Sequence, residues 1–264
     1  MMESPVKKAV SLYGGTVLGS GMPKICVPVV GDNADVFNNN LAAACSEVPD
    51  LIELRIDALS RRLSREALLS FLQNAVSIAR KVCPVILTDR TTRDGGNGDP
   101  AVYPALISHL IDNGCETDLL DVEISAGEQD FARLLQAAKK HRIPVIASWH
   151  DFKGTPAAPV LAGIFDTMQT WHADVAKVAV MPQNAADVDC LINAAGAAGS
   201  RLSIPVIAIS MGALGTRTRL ECEYFGSCMT FASAGDASAP GQVSISAARD
   251  ALLEFHNKIN EKKG

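Results

Sequence analysis

Short apolar runs alternate with longer amphipathic segments about eight times along the chain. The short runs predict strands, and the longer segments predict helices, as where Leu68, Leu72, Ala75, Val76 and Ala79 recur at the helical period. Strands that alternate with helices pair in parallel through right-handed crossovers. Eight such units in 264 residues predict an α/β fold, the (β/α)8 TIM barrel.

The predicted strands cover residues 24–30, 51–57, 84–90, 118–124, 143–149, 174–180, 204–210 and 226–232. The predicted helices cover residues 34–48, 64–82, 101–113, 127–141, 160–171, 185–198, 216–223 and 244–259. A doubly wound open sheet is the rival fold, but it usually carries a glycine-rich phosphate turn after its first strand. Here the first strand runs into Gly31-Asp32-Asn33, which is not that turn.

No linker or internal repeat divides the chain, so the sequence predicts a single barrel domain over residues 22–264. Residues 1–21 are broken by Gly14, Gly15 and Gly19 and lack the continuous apolar stretch of a signal peptide. We therefore interpret residues 1–21 as a short N-terminal extension.

Composition excludes several classes of partner. A net charge of −5 and a pI near 5.5 argue against nucleic acid held by bulk charge. No apolar run approaches the ~18–20 residues of a membrane span. The seven cysteines are odd in number and form no CxxC pair, which predicts free thiols in the cytoplasm. No metal-binding motif is present, and we expect no metal and no other cofactor.

Lys177 is the cation in the middle of the sixth predicted strand, on the face that also carries Val175 and Ala179. Burial favours the neutral amine, which is a nucleophile for carbonyl groups, so one interpretation is a Schiff-base lysine. The other is a solvated lysine on an edge strand. The strand by itself leaves both open.

Polar residues recur at alternate positions of the other strands, where a barrel would direct them inward: Glu53, Arg55, Asp57, Thr88, Arg90, Asp121, Glu123, Ser148 and His150. Barrel enzymes gather their chemistry at the C-terminal ends of the strands, where His150 falls. Asp94 precedes Gly95-Gly96 in a loop that could cover this end or be a surface turn. Arg217 and Arg219 follow the seventh strand, as solvated charges or as carboxylate partners. Together these residues favour imine chemistry on a small anionic substrate.

Several motifs, in order and with matching separations, resemble those of the type I (Schiff-base) 3-dehydroquinate dehydratases. They are Glu53-Leu-Arg-Ile-Asp57, Asp121-Val-Glu123, Ser148-Trp-His-Asp-Phe152, Ala176-Lys-Val-Ala-Val-Met-Pro182, Ser210-Met-Gly212, Tyr224-Phe-Gly-Ser227, Thr230-Phe231 and Ser238-Ala-Pro-Gly-Gln242. The resemblance runs from about Gly21 to the last helix. It implies a homodimeric barrel that converts 3-dehydroquinate to 3-dehydroshikimate and water in the shikimate pathway of aromatic amino acid biosynthesis.

The resemblance also implies roles for individual residues. Lys177 matches the Schiff-base lysine and His150 the general acid/base, while Asp94 stands where the family has a glutamate that pairs with this histidine. The positions that match substrate-binding residues are Glu53, Arg55, Arg90, Arg219, Ser238 and Gln242, with Met211 and Phe231 as apolar pocket residues.

Three positions depart from the family pattern. Asp94 is one methylene shorter than glutamate, Asp89 stands where the family commonly has an aromatic residue, and Thr218 replaces serine. These changes leave two alternatives open. One is another barrel Schiff-base lyase or aldolase with a shifted carboxylate-bearing substrate, and the other is a weakly active relative.

Overall fold

The computed structural model describes residues 9–234 and 242–261. Two short strands, β1 (Val10–Ser11) and β2 (Val17–Leu18), form an antiparallel hairpin ahead of the barrel. Eight parallel strands follow, and they are β3 (Lys24–Val29), β4 (Leu51–Arg55), β5 (Val85–Thr88), β6 (Leu119–Glu123), β7 (Val145–Asp151), β8 (Val175–Val180), β9 (Val206–Ser210) and β10 (Met229–Ser233). A strand is found at each of the eight predicted places, although β4 and β5 each end two residues earlier than predicted.

The helices lie between the strands and after the last one. They are α1 (Ala34–Ser46), α2 (Arg65–Ala79), α3 (Tyr103–Asp112), α4 (Glu128–Lys140), α5 (Ala158–Thr170), α6 (Ala185–Arg201), α7 (Thr216–Leu220) and α8 (Ile245–Glu261). The largest difference from prediction concerns residues 216–223, where α7 ends at Leu220 and a separate 3-10 helix covers Cys222–Phe225.

Parallel pairing runs in chain order from β3 to β9, and β10 pairs with β3 on the other side. The gap between β9 and β10 is closed by a bridge from Ser227 to Val206, whose carbonyl oxygen accepts the Cys228 N–H at 2.8 Å. A short strand, β11 (Val243–Ser244), continues the sheet beside β10. The chain is thus a single (β/α)8 barrel, as the alternation of strands and helices predicts.

The inside of the barrel changes character along its axis. At the N-terminal end the interior is apolar, with Leu51, Leu119 and Val175 fully buried. Leu18 of the hairpin packs into the same cluster with no exposed surface, so the predicted N-terminal extension contributes to this core. The polar interior residues lie toward the opposite end, where barrel strands place chemistry. No helix of the described residues is both long and apolar enough to cross a membrane.

We expect Phe37→Ala to lower the free energy of unfolding by about 3–5 kcal/mol, because it leaves a cavity between α1 and the sheet. Phe37 is fully buried, and its ring meets that of Phe71 edge-on with 5.3 Å between centroids. Urea unfolding measures the change. The matched control is Val36→Ala on the same helix, since Val36 is 41% exposed and should cost about 0.5 kcal/mol or less. Equal effects from both variants would contradict the packing described.

Candidate active site

A cavity of about 300 Å³ opens at the C-terminal end of the barrel. Ten of the eleven predicted site residues line it, and they are Glu53, Arg55, Arg90, Asp94, His150, Lys177, Met211, Arg219, Phe231 and Gln242. Ser238 lies outside the described residues. Pro28, Ala179 and Ile209 add apolar surface to the walls. The cavity therefore combines several charged groups with an apolar floor and sides, as is typical of small-molecule sites.

Lys177 occupies one of the alternate positions of β8 that face the barrel interior, and its side chain is only 5% exposed. Its Nζ lies 2.9 Å from Oδ2 of Asp121 and 3.6 Å from Oε1 of Glu53. It also sits 4.6 Å from the centre of the Phe231 ring. The solvated edge-strand interpretation is wrong. The nearest charged atoms are carboxylate oxygens, which stabilise positive charge on Nζ.

Asp121 is the central residue that the sequence reasoning did not place in the site. One oxygen, Oδ1, accepts from Arg90 Nη2 at 2.7 Å and from Ser148 Oγ at 2.5 Å, and the other accepts from Lys177. Burial opposes ionisation of this carboxyl, but the positive charges of Arg90 and Lys177 outweigh it and hold the pKa of Asp121 well below its usual range. The available signal in the sequence was that Asp121 shares an inward-facing side of its strand with Glu123.

Arg90 is anchored on several sides. While Nη2 binds Asp121, Nη1 donates to Oε1 of Glu123 at 3.2 Å and to Oγ of Ser148 at 2.8 Å. Glu123 also accepts from the backbone N–H and the hydroxyl of Thr91. This network fixes the guanidinium at the cavity wall and ties the start of the next loop to β6.

His150, at the end of β7, pairs with Asp94 as the resemblance implies. Its Nδ1 lies 3.0 Å from Oδ2 of Asp94, which also accepts the His150 backbone N–H at 3.1 Å. Burial, reinforced by the positive charges of Arg90 and Lys177, lowers the pKa of His150 well below its ordinary value. The imidazole is therefore neutral at pH 7. With Asp94 ionised, Nδ1 carries the proton and Nε2 is free to act as a base.

The loop of residues 91–98, which we call the Asp94 loop, folds over the cavity. Asp94 ends a 3-10 turn (Thr92–Asp94) and is 2% exposed, so the surface-turn interpretation of this residue is wrong. Gly95 follows at φ +77°, and a Cβ there would lie 2.3 Å from the Phe152 ring. The loop consequently needs glycine at this position both for its left-handed backbone and for space. Burial raises the pKa of Asp94.

Two arginines provide the remaining positive charge of the cavity. Arg219 is buried, its Nη1 donates to the Phe231 carbonyl at 3.2 Å, and burial lowers its pKa to about 10. Arg55 pairs with Asp57 at 2.8 Å. The prediction that Asp57 belongs to the strand is wrong, because β4 ends at Arg55. Arg217, the second arginine after β9, faces outward and pairs with Asp189 and Glu221.

Within residues 9–234 and 242–261, no group of three or more His, Cys, Asp or Glu side chains is arranged to hold a metal ion. The arrangement instead offers a buried amine, a neutral imidazole and two cations beside an apolar surface. Those groups suit proton transfer and imine formation on an anionic carbonyl compound.

We expect Asp121→Asn to lower the free energy of unfolding by about 3–5 kcal/mol at pH 7, because it leaves Lys177 and Arg90 buried with less compensating charge. A carboxyl whose pKa is lowered by folding stabilises the fold above its unfolded pKa and loses this contribution as the pH falls. The destabilisation should thus shrink by about 1 kcal/mol between pH 5 and pH 3.

Urea unfolding of both proteins across this pH range measures the effect of Asp121→Asn. Asp112→Asn is the control, since Asp112 is an exposed carboxylate paired with Lys140 and His141 and should contribute about 1 kcal/mol or less. A small or pH-independent effect at Asp121 would show that its charge does not stabilise the cluster.

Comparison with known proteins identifies the family of this chain. The family model for type I 3-dehydroquinase matches residues 25–259. A 3-dehydroquinate dehydratase of Lactiplantibacillus plantarum is 39% identical over 249 residues, covering 92% of this chain and 96% of its own, and one from a Geobacillus species is 35% identical, covering 93% and 95%. The crystal structure of a type I 3-dehydroquinate dehydratase from Clostridium difficile, with covalently modified comenic acid, superposes with a TM-score of 0.90 at 31% identity, covering 96% of this chain and 100% of that one. The chain belongs to the type I 3-dehydroquinase family.

Proposed function

We propose that this protein is a hydro-lyase that converts 3-dehydroquinate to 3-dehydroshikimate and water through an imine on Lys177. The observation that carries the proposal is the position of Nζ, buried in the cavity beside Asp121 and Glu53, with His150 lining the same space. The names of the matched relatives supply the substrate, and the cavity supplies groups that fit its chemistry. The alternative of a different barrel lyase or aldolase has no observation of its own in its favour.

Substrate binding uses the charges around the cavity. The substrate is a cyclic ketone with one carboxylate and several hydroxyls. Arg219 and Arg55 are the cations that would pair with the carboxylate or hydroxyls, because a planar guanidinium can donate two parallel hydrogen bonds. Glu53, Arg90, Ser238 and Gln242 would contact hydroxyl groups, and Met211 and Phe231 would face the carbon ring. The pKa of the buried Arg219 is lowered by desolvation, and a bound carboxylate would stabilise the charge of its guanidinium.

The reaction begins when the Lys177 ammonium gives up a proton and its amine attacks the ketone carbon. That proton returns to the carbonyl oxygen as it leaves as water, which forms a protonated imine. Asp121 and Glu53 then act as counter-ions to its positive charge, as they do to the ammonium. The protonated imine withdraws electrons, so the adjacent C–H becomes acidic. A pre-formed counter-ion stabilises this charge without reorganisation in the dry interior.

Proton transfer then falls to His150. Its neutral Nε2 accepts the proton from the carbon next to the imine, and the electron pair moves to form an enamine. Collapse of the enamine re-forms the imine, breaks the β C–O bond and expels hydroxide, which takes the proton from His150 and leaves as water. A second water hydrolyses the imine and releases the enone product and the free lysine. Positioned acid–base catalysis of this kind contributes about 10²–10⁴-fold.

Asp94 holds His150 in the orientation that these steps need. The side chain is one methylene shorter than that of glutamate, yet the Asp94 loop sits close enough for a 3.0 Å contact. The weakly active alternative rests on this shorter side chain, and the contact weakens that alternative.

We also propose that the enzyme works in the cytoplasm as a homodimer. The seven cysteines are all free, which suits a reducing compartment. The dimer follows from the family resemblance alone.

We expect incubation with 3-dehydroquinate and borohydride to attach the reduced substrate to Lys177, because hydride converts the imine to a stable secondary amine. Peptide mass spectrometry locates the adduct. Lys177→Arg is the matched control, since it retains the positive charge and cannot form an imine. Absence of an adduct on the folded wild-type protein would refute the imine mechanism.

We expect Asp94→Glu to change kcat by about tenfold or less, which corresponds to roughly 1.4 kcal/mol. The aspartate already contacts His150, so the longer side chain has little to add. Steady-state kinetics with 3-dehydroquinate gives the value, and Asp94→Asn shows how much the charge contributes. A much larger gain in kcat from glutamate would mean that the natural aspartate impairs the enzyme.

A further inference from the structure

Asp89 is a buried carboxyl beside the proposed site, and the mechanism above does not use it. It follows β5 and precedes Arg90, and it is 1% exposed. Its Oδ1 accepts a hydrogen bond from the Ser60 hydroxyl at 3.0 Å. Its Oδ2 is buried and has no hydrogen-bond partner among the residues that the structure describes. An ionised carboxylate in this place is costly, and a protonated one much less so.

The Asp94 loop lies directly on Asp89. A Cβ built at Gly98 would lie 2.8 Å from Oδ1 of Asp89, so the end of the loop packs against this carboxyl with no spare space. Asp89 also links two connections of the barrel, because Ser60 belongs to the segment between β4 and α2.

A carboxylate holds each end of the Asp94 loop. Glu123 accepts from the Thr91 N–H at 2.7 Å and from the Thr91 hydroxyl at 2.6 Å. Asp57 accepts from the Asn97 N–H at 3.1 Å and from its side-chain amide at 3.3 Å. Between these two attachments lies Asp94 with its contact to His150. The position of Asp94 therefore depends on two anionic anchors.

Asp89 interacts electrostatically with both anchors. Burial raises the pKa of Asp89 to about 7, and the negative charges of Asp57 and Glu123 add to this effect, while the Ser60 hydrogen bond and Arg55 oppose it.

Other charged groups complete the surroundings of Asp89. Arg55 is paired with Asp57, and Arg90 with Asp121 and Glu123. Arg61, in the segment after β4, contacts the Asn97 carbonyl from the surface, and Arg93 and Asp94 belong to the loop itself. The two nearby cations thus already have carboxylate partners, so a charged Asp89 would compete for them.

We propose that Asp89 is a positioning residue whose neutral form lets Asp57 and Glu123 hold the Asp94 loop in place against His150, and whose ionisation loosens that loop. Loss of the proton to solvent adds a third negative charge beside the two anchors. The weaker attachment, at Asn97, then opens more often and Asp94 leaves His150. The effect on turnover rests on the proposed dehydratase function, whereas the effect on the loop does not.

The test compares the wild type with Asp89→Asn, which has the shape of the neutral aspartic acid and does not titrate. Hydrogen exchange of peptides that cover residues 91–98 is measured at pH 6 and pH 8. At each pH, the exchange rate of the wild type is compared with that of Asp89→Asn. At pH 6 the two proteins should be equally protected. At pH 8 the wild-type loop should exchange about tenfold faster than that of Asp89→Asn, the scale of one lost hydrogen bond to a charged group.

Activity and stability give independent measurements on the same proteins. The wild-type kcat/KM for 3-dehydroquinate should fall as the pH rises through about 7, and Asp89→Asn should lose this inflection. The folded state binds the Asp89 proton more tightly than the unfolded state, so wild-type stability declines between about pH 4 and pH 7 relative to Asp89→Asn. Above that range the difference should stay constant.

Asp118→Asn is the control for general loss of a partly buried carboxylate, because Asp118 pairs with Arg80 and its side chain is 6% exposed. It should change stability without altering exchange of residues 91–98. Equal protection of this loop in wild type and Asp89→Asn at pH 8 would overturn the proposal, as would superimposable pH profiles of kcat/KM. If Asp89→Asn does not fold, wild-type loop protection that stays constant from pH 6 to pH 8 would overturn it as well. Absence of turnover with a pH-dependent loop would count against the proposed function and leave the role of Asp89 standing.

Discussion

The carboxylate of Asp121 accepts hydrogen bonds from three side chains of other parts of the barrel, and the cavity depends on these contacts. Lys177 comes from β8, Ser148 from β7, and Arg90 from the segment that follows β5. Charges this deeply buried persist only when partners and hydrogen bonds compensate their desolvation. Asp121 supplies that compensation for two cations at once, so Nζ and the guanidinium stay at fixed places. A buried amine with a pre-formed counter-ion is then ready to stabilise an imine.

The other residues of the site are connected to Asp121 through Arg90. Arg90 also binds Glu123, which holds the start of the Asp94 loop, and that loop positions His150. Lys177 and His150, the two residues proposed to carry the chemistry, are thereby connected through one continuous network. Asp89 lies beneath the loop, outside this network but close enough to influence it. In our proposal, this buried carboxyl makes the loop responsive to pH.

Much of the fold and part of the site could be predicted from the sequence. Strand and helix periods are local properties, so the eight strands were identifiable, and the two-residue strand period indicated that Glu53 and Lys177 face inward. The role of Asp121 could not be predicted, because its contacts depend on the stagger between strands that are distant in sequence. Loop geometry escaped prediction for the same reason. The local sequence left open whether Asp94 covers the barrel end or lies in a surface turn, and only the family resemblance paired it with His150. Nothing local distinguished the inward Arg219 from the outward Arg217.

The central claim is that Lys177 performs the chemistry as a nucleophile rather than as a fixed charge. Turnover of 3-dehydroquinate by the wild type and by Lys177→Arg tests it most directly, followed by the ultraviolet absorbance of the conjugated enone product. Both proteins keep a cation beside Asp121, and only one has an amine that can form an imine. We expect the wild type to produce the enone and Lys177→Arg, folded to the same extent, to produce none above background. Substantial turnover by Lys177→Arg would contradict the account.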